Sequence, residues 1–388
     1  MQKYKNSGKR QNKFKVFFVF RANLRIFAEK YVIMDINYNK YSDRAIELLK
    51  RMIATPSVSR DETLAADIMQ QCISQMGFEP HREANNVWAL SHNFDEGKPT
   101  LLLNAHIDTV KPAASWTRDP FRPGIAYDRL YGLGSNDCGG GLVSLLQAFD
   151  ILDSRERKYN MVYLASAEEE VSGKNGCERA LKLLPKIDVA IVGEPTGMQP
   201  AIAEKGLMVV DCTAHGRSGH AARNEGVNAI YIALDDIAWI RNHKFRRTSP
   251  LLGPTKMTVT IVNAGTQHNV VPDKCDFTID IRTNEYYRNE LVFSHLQKHL
   301  KSECRARSFR LGSSKIDPEH PIVVKCKKMG MKPFGSPTLS DQALMPFPSL
   351  KLGPGESSRS HSADEYICIS EIRNAIELYV TLLDGLEL

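Results

Sequence analysis

Short apolar runs alternate along the chain with longer segments of helical periodicity. Apolar residues spaced three and four apart predict helices over residues 45–53, 62–76, 142–152, 321–328 and 369–383. Asp61 is the expected cap of the second of these helices, and Gly77 its end. Continuous apolar runs predict buried strands over residues 87–90, 100–105, 161–165, 187–192 and 349–352. Strands that alternate with helices favour an α/β domain built in layers.

The middle of the chain has a different pattern. Strands are predicted over residues 207–213, 257–262, 276–281 and 308–311, and helices over 227–240 and 289–300. Their order is βαββαβ, which is typical of a small ferredoxin-like domain. We therefore expect residues 34–204 and 315–388 to form one domain and residues 205–314 to form a second domain inserted into it.

Charge is unevenly distributed along the chain. The net charge is +6, but residues 1–33 alone carry +8, which leaves −2 for the remaining residues. That balance predicts no nucleic-acid partner, and no apolar run is long enough to span a membrane. We expect residues 1–33 to lie outside the fold, with Met34 as an alternative start. The other interpretation is a basic tail that is disordered or binds a membrane surface.

Eight cysteines are scattered through apolar segments, and no two of them have Cys-x-x-Cys spacing. A thiolate zinc site is therefore not expected. Buried free thiols of this kind are typical of a reducing compartment, which predicts a cytoplasmic protein.

His106 and Asp108 come directly after the apolar run 101–103. Residues i and i+2 of a strand share a face, so the two side chains should project together. A histidine that binds a metal needs a carboxylate to orient its ring, and this pair supplies one. The alternative is a loop histidine paired with a surface aspartate.

Asp137 lies in a glycine-rich turn that leads into the helix at 142–152. A phosphate loop is one interpretation of such a turn, but Gly-Lys-Ser/Thr and Gly-x-Gly-x-x-Gly are both missing. An aspartate also repels phosphate, so a cation suits the turn better. A simple helix cap is the remaining alternative.

Further acidic residues and a histidine follow other strands. Glu168, Glu169 and Glu170 follow the run 161–165, Glu194 follows 187–192, and His361 follows 349–352 and a glycine turn. The carboxyl ends of parallel strands meet at one sheet edge, so the joint pattern predicts a metal centre there. The three consecutive glutamates would supply one ligand and one general base, unless they merely begin a helix.

Together these residues resemble the M20 metallopeptidase family, and most closely its acetylornithine deacetylase and succinyl-diaminopimelate desuccinylase branch. The matching stretches follow the family's order from about residue 40 to the C-terminus. They are residues 104–110 (Asn-Ala-His-Ile-Asp-Thr-Val), 132–137 (Gly-Leu-Gly-Ser-Asn-Asp), 168–170 (Glu-Glu-Glu), 193–196 (Gly-Glu-Pro-Thr), 216–220 (Gly-Arg-Ser-Gly-His), 269–273 (Asn-Val-Val-Pro-Asp) and 361–365 (His-Ser-Ala-Asp-Glu).

The resemblance implies a site with two Zn²⁺ ions, with Co²⁺ as the alternative metal. Asp137 would bridge the metals, His106 and Glu194 would complete one of them, and Glu169 and His361 the other. Glu168 would be the general base and Asp108 would orient His106. His220 would stabilise the oxyanion in the partner subunit's site, which implies a homodimer formed through the inserted domain. Substrate would be bound by Arg282, Asn269, Gly353 and Gly355.

The implied activity is hydrolysis of the amide bond of an N-acyl amino acid in arginine biosynthesis, with a small substrate and water as the only partners. The substrate would be an N-acetyl or N-succinyl derivative of ornithine or citrulline. A two-zinc dipeptidase or aminopeptidase and a succinyl-diaminopimelate desuccinylase are alternatives. A non-catalytic binding protein is disfavoured because every expected ligand is present. Cys138-Gly139-Gly140 stands where many family members have Met-Lys-Gly, which bears on the substrate and not on the metal set.

Overall fold

The structure is a computed structural model that describes residues 36–223 and 225–388. The extension at residues 1–33 therefore lies outside the described residues. The strands are β1 (His81–Glu83), β2 (Asn86–Leu90), β3 (Thr100–His106), β4 (Gly124–Ala126), β5 (Arg129–Tyr131), β6 (Asn160–Ser166), β7 (Val189–Val192), β8 (Ala201–Glu204), β9 (Gly206–His215), β10 (Gly219–His220), β11 (Lys256–Ala264), β12 (Val270–Val271), β13 (Lys274–Thr283), β14 (Glu303–Ala306), β15 (Ser314–Lys315), β16 (Phe334–Ser336), β17 (Ser349–Lys351) and β18 (Tyr366–Cys368).

The α-helices include the segments in which apolar residues recur every three to four positions. They are α1 (Tyr38–Ile53), α2 (Thr63–Gln75), α3 (Gly140–Asp153), α4 (Cys177–Ala180), α5 (Ala229–Asn242), α6 (Asn289–His299), α7 (Pro321–Lys328) and α8 (Ile369–Leu383). Short 3-10 turns lie at Asp341–Leu344 and Ser357–Arg359, and an irregular turn at Ser135–Gly139 precedes α3.

The chain divides into two compact units. Of the described residues, the first contains those from Ile36 to Ala201 together with Asp317–Pro333 and Phe347–Leu388, and the second contains Ile202–Ile316 and Phe334–Pro346. Residues 334–346 belong to the second unit here, whereas the sequence pattern assigned them to the first.

The first unit is built on a sheet with the strand order β1-β2-β6-β3-β7-β17. Strands β6, β3, β7 and β17 run parallel, and β1 and β2 are antiparallel additions at one edge. Every residue of β3 and β6 is buried, as expected for parallel strands covered on both faces. Their carboxyl ends therefore meet at one sheet edge, and the candidate ligands follow these ends.

Helix α3 is buried on nearly all sides because it contacts β3 and β6 as well as helices α1 and α8. Its leucines carry much of this core, and burying one such side chain stabilises the fold by about 1.5–3 kcal/mol. Helix α3 begins at Gly140, three residues after Asp137, so the core that holds the helix also fixes the end of the turn that carries the candidate ligand.

The second unit has the order βαββαβ, with the antiparallel sheet β11-β13-β9-β14 and helices α5 and α6. Buried and half-exposed residues alternate along β9 and β13, so one face of the sheet is buried and the other is partly exposed to solvent. That face packs with residues such as Val292 and Leu296 of α6. The overall fold is thus α/β, with a ferredoxin-like second unit.

Two expectations about element bounds were wrong. The last strand of the second unit is β14 and not residues 308–311, because Cys304 pairs directly with Cys212 of β9. Asp61 is not the cap of helix α2: the helix is preceded by Glu62, whose carboxylate accepts from the backbone N–H of Arg60 and makes no cap. Strand β18 lies between residues 361–365 and the last helix, and it pairs with β5.

Within the described residues, no helix is long and apolar enough to cross a membrane. All eight cysteines lie in the described part of the chain, and all are free thiols.

Candidate metal centre

His106 is the last residue of β3 and is almost fully buried. Its Nδ1 lies 2.8 Å from the backbone oxygen of Asp108 and 3.4 Å from the Asp108 carboxylate. A donor at Nδ1 leaves the lone pair on Nε2, which points toward Asp137 and Glu194. Asp108 therefore contacts the ring that it is predicted to orient, and its backbone oxygen is the nearer acceptor.

Asp108 also organises the segment that follows β6. Its carboxylate accepts the backbone N–H groups of Glu169 at 3.0 Å and Glu170 at 3.1 Å, and the hydroxyl of Ser59 at 2.7 Å. One buried carboxylate thus ties the end of β3 to the two glutamates after β6. These bonds, together with His106, hold the pKa of Asp108 below its usual value even though burial alone would raise it.

The turn that carries Asp137 is held by Glu365, just before β18. Its carboxylate accepts the backbone N–H groups of Gly134, Asn136 and Asp137 at 2.8–3.1 Å. Burial raises the pKa of Glu365 to about 7, and the neighbouring Asp137 adds to this, while the three N–H donors oppose it. Glu365 therefore fixes the backbone from which the Asp137 side chain projects.

Glycines bring the other strand ends close to this turn. A Cβ on Gly141, in the first turn of α3, would lie 1.7 Å from the backbone oxygen of Gly193, which precedes Glu194. A Cβ on Gly353 would lie 2.5 Å from the same oxygen, and one on Gly355 would lie 2.3 Å from the Asn136 side chain. Gly353 and Gly355 thus allow the close packing of the loops around Asp137 and Glu194.

The side chains form two groups that share Asp137. The Nε2 atom of His106 lies 3.5 Å from Oδ1 of Asp137 and 3.7 Å from Oε1 of Glu194. The Nε2 atom of His361 lies 3.6 Å from Oδ2 of Asp137 and 2.9 Å from Oε2 of Glu170. One carboxylate oxygen of Asp137 therefore faces each histidine, which is the arrangement of a bridging ligand.

The three consecutive glutamates after β6 have different surroundings. The Glu168 carboxylate accepts from the side chain of Asn175 at 3.1 Å and from its backbone N–H at 3.3 Å. The Glu169 carboxylate lies 4.0 Å from His106, and Glu170 contacts His361. The structure thus brings Glu169 and Glu170 to the cluster, whereas it holds Glu168, the residue predicted as the base, against a neighbouring loop.

Burial and the close contacts among carboxylates and histidines change the pKa values of the metal-free cluster. Burial and the neighbouring Asp137 raise the pKa of Glu194 to about 8. A hydrogen bond to Glu170 raises the pKa of His361 to about 9. Burial opposes the ionisation of Asp137, but its contacts with His106 outweigh this and hold the pKa of Asp137 below its usual value.

The donor set fits divalent metal ions. His106, Asp137 and Glu170 each offer a ligand atom, and these atoms lie within 4.8 Å of one another. Two buried atoms, Nε2 of His106 and Oε1 of Glu194, have no hydrogen-bond partner among the described residues. A cation between them would satisfy both atoms, which are costly to bury unpaired, and would neutralise the carboxylates around them.

Cys138 is a neighbour that sequence reasoning left out of the metal set. Its sulfur accepts from the backbone N–H of His106 at 3.1 Å, and it lies with His106 and Glu194 in a second group whose ligand atoms are within 4.8 Å. Burial raises the pKa of the Cys138 thiol to about 12. The thiol therefore packs beneath His106 as a neutral group in the metal-free protein.

The remaining predicted residues lie in the second unit. His220 of β10 pairs in register with Val270 of β12, and the backbone oxygen of Asn269 accepts from Ala221 at 2.9 Å. His220 and Asn269 are therefore neighbours on one two-stranded ribbon. The Arg282 guanidinium, on β13, donates two hydrogen bonds to Asp280 at 2.9 and 3.0 Å.

Two residues of the site, Glu365 and Glu170, could be identified from the sequence only in part. Glu365 lies in the matched stretch 361–365, but a buried carboxylate that accepts three backbone N–H groups has no sequence signature. Glu170 was visible only as one of three adjacent glutamates, and adjacency alone does not tell which of them faces the cluster.

Metal binding should stabilise the protein more at pH 9 than at pH 7. In the metal-free protein Glu194 (pKa about 8, ordinarily 4.5) and His361 (about 9, ordinarily 6.5) hold more protons when folded than when unfolded. Their contribution to stability is present at low pH and is lost as the pH rises through these values. Metal replaces those protons, so the rise in Tm on adding Zn²⁺ should grow between pH 7 and pH 9.

Differential scanning fluorimetry with and without a chelator measures this effect. Asp61→Ala is the matched control, since it removes an exposed carboxylate outside the cluster and should leave the dependence unchanged. A gain in Tm that shrinks as the pH rises would contradict the account.

Comparison with known proteins identifies the family. The profile of peptidase family M20/M25/M40 matches residues 102–385, well over half of the chain. Acetylornithine deacetylase of Pectobacterium carotovorum is 29% identical over 370 residues, which is 86% of this chain and 95% of that protein. Acetylornithine deacetylase of Shigella sonnei is 29% identical over 379 residues, with 87% and 96% covered.

Solved structures share the fold. The aminopeptidase PepT of Bacillus cereus superimposes with a TM-score of 0.72 at 18% identity, and 88% of this chain and 98% of that chain are covered. A dinuclear metal-binding peptidase of Bacillus subtilis gives 0.68 at 15% identity, with 89% and 98% covered.

The fold and site define a hydrolase that acts on amide bonds. The chain belongs to peptidase family M20/M25/M40, within the branch that holds the acetylornithine deacetylases, and this family is metal-dependent.

Proposed function

We propose that the protein is a zinc-dependent deacylase of N-acyl amino acids in arginine biosynthesis, acting on N-acetyl or N-succinyl derivatives of ornithine or citrulline. The observation that carries the proposal is the pair of side-chain groups that share Asp137, one with His106 and Glu194 and one with His361 and Glu170. The relatives of similar length that are named acetylornithine deacetylases support the substrate class.

Two Zn²⁺ ions, or Co²⁺ in their place, would be held by these two groups. When bound, the metals would lower the pKa of the attacking water and polarise the amide carbonyl. Glu170 replaces Glu169 as the ligand beside His361 in this proposal, because its carboxylate lies 2.9 Å from the His361 ring.

Glu169 replaces Glu168 as the general base. Its carboxylate lies 4.0 Å from His106, and its backbone is fixed by Asp108, whereas the Glu168 carboxylate is committed to Asn175. A general base must lie within reach of the proton that it takes, and it then delivers that proton to the leaving amine.

His220 would donate to the oxyanion of the partner subunit's site in a homodimer. Its Nδ1 accepts the backbone N–H of Ala222 at 3.1 Å, so the proton of the neutral ring is on Nε2, as a donor to an oxyanion requires. Arg282 would bind the substrate carboxylate beside its Asp280 partner, and Asn269, Gly353 and Gly355 would line the pocket. A cytoplasmic location is supported by the eight free cysteines.

Steady-state kinetics on a substrate panel test the proposed activity. The zinc-loaded enzyme is assayed with N-acetylornithine, N-acetylcitrulline, N-succinylornithine, N-succinylcitrulline and a set of free dipeptides. We expect the highest kcat/KM on one of the four N-acyl amino acids. A higher value on dipeptides would overturn the deacylase proposal in favour of a dipeptidase on the same metal centre.

His220 should be tested by mixing two inactive variants. His220→Ala should lower kcat by about 10²–10³-fold, since an oxyanion donor contributes that much, and should leave both metals bound. Mixed with Glu169→Gln, it should regain activity as subunits exchange, because one site of each mixed dimer then has both intact residues. Turnover is followed against time, with exchange confirmed by native mass spectrometry. Mixed dimers that form and stay inactive would exclude the action of His220 across the interface.

A further inference from the structure

Three histidines gather around Trp239 in the second unit. His243 is the residue that follows helix α5, and His295 and His299 are one turn apart on α6. The Trp239 ring stacks on His243 with centroids 4.4 Å apart and on His299 with centroids 4.9 Å apart. The rings of His295 and His299 are 4.2 Å apart.

Two of the imidazole nitrogens already face each other. The Nε2 atoms of His243 and His295 are 3.2 Å apart. Two nitrogens bound tetrahedrally to one zinc at 2.0–2.1 Å would be about 3.3–3.4 Å apart. The gap therefore accepts either a single shared proton or a metal ion, with little movement of either ring.

The His299 ring has the tautomer that a metal ligand requires. Nδ1 of His299 lies 2.8 Å from the backbone oxygen of His295, which places its proton on Nδ1 and its lone pair on Nε2. Residues i and i+4 share a helix face, so His295 and His299 can act together.

We propose that His243 and His295 form a second metal site, with His299 as the third ligand after rotation of its exposed side chain. Imidazole ligands select late first-row divalent ions, so the site would take Zn²⁺, Ni²⁺ or Cu²⁺ rather than Mg²⁺ or Ca²⁺. The metal would join the end of α5 to α6 and stabilise the second unit. This site is independent of the deacylase activity, because none of its residues belongs to the proposed centre.

Quenching of Trp239 fluorescence by Ni²⁺ tests the site in the full chain. The chain has three tryptophans, so Trp88→Phe and Trp116→Phe leave Trp239 as the only tryptophan emitter. The protein is first loaded with only two equivalents of Zn²⁺ per chain, which the proposed catalytic centre takes up, and is then desalted before Ni²⁺ is titrated. We expect saturable quenching and a higher Tm, and a binding constant at least about tenfold weaker in His243→Ala and in His295→Ala, as loss of a ligand interaction implies.

His215→Ala is the matched control, since His215 is an exposed histidine of the same unit that pairs with Glu303. It should bind Ni²⁺ as the parent does. Equal binding in His295→Ala and the parent would overturn the proposal, and so would an unquenched parent at millimolar Ni²⁺, which would leave a proton between the two rings. His295→Gln replaces His295→Ala if the alanine variant does not fold. Because the parent titration needs no histidine variant, the test does not depend on either of them.

Discussion

Replacing Glu169 with glutamine should lower kcat by about 10²–10⁴-fold while metal content stays near that of the parent. Proton transfer by a positioned carboxylate contributes that much to turnover, and glutamine keeps the size of the side chain but takes no proton. Both proposed ligand groups remain intact in this variant, since Glu169 belongs to neither. The measurement is kcat on the best substrate of the panel, together with metal analysis by inductively coupled plasma mass spectrometry.

Glu168→Gln is the matched control, because it makes the same change one residue earlier. The Glu168 carboxylate accepts two hydrogen bonds from Asn175, so the variant should have a lower Tm and a kcat within a few fold of the parent. The reverse outcome, in which Glu168→Gln loses turnover and Glu169→Gln retains it, would restore Glu168 as the base and contradict our assignment.

Replacing Asp137 with alanine should remove activity almost completely, by at least about a thousandfold. Asp137 faces His106 with one oxygen and His361 with the other, so its loss weakens both proposed metal positions at once. Metals contribute several kcal/mol to such a reaction, and about 1.4 kcal/mol corresponds to each tenfold in rate. Metal content should fall together with activity.

Asp61→Ala is the control for removing a carboxylate, since Asp61 is exposed. It should keep metal and activity. An Asp137→Ala variant that binds two metals per chain as tightly as the parent would show that Asp137 is not a shared ligand.

The sequence predicted that the candidate ligands lie together at one sheet edge because their proximity follows from topology. Apolar runs that end in His106 and Glu194 became the parallel strands β3 and β7, and parallel strands bring their carboxyl ends together. His361 reaches the same place through the glycine turn after β17. The periodicity of the sequence was sufficient to predict this proximity, because the type and direction of the strands decide which strand ends lie side by side.

The choice among Glu168, Glu169 and Glu170 could not be predicted in the same way. Glu168 has a positive φ of 53°, a conformation that few residues other than glycine adopt. This turns the chain directly after β6, so the strand alternation does not continue into the three glutamates. Long-range contacts with Asn175 and Asp108 then decide where each carboxylate lies.

The histidine cluster of the second unit was hidden for a related reason. The i, i+4 spacing of His295 and His299 is visible in the sequence, but their proximity to His243 depends on how the end of α5 packs against α6. Only the tertiary fold brings a residue 52 positions earlier into contact with His295.

Anomalous diffraction at the zinc edge, from crystals of the zinc-loaded protein, tests the central claim most directly. We predict two zinc peaks on either side of Asp137, one held by His106 and Glu194 and the other by His361 and Glu170. A single peak, or a second zinc bound by Glu168 or Glu169 in place of Glu170, would contradict the account.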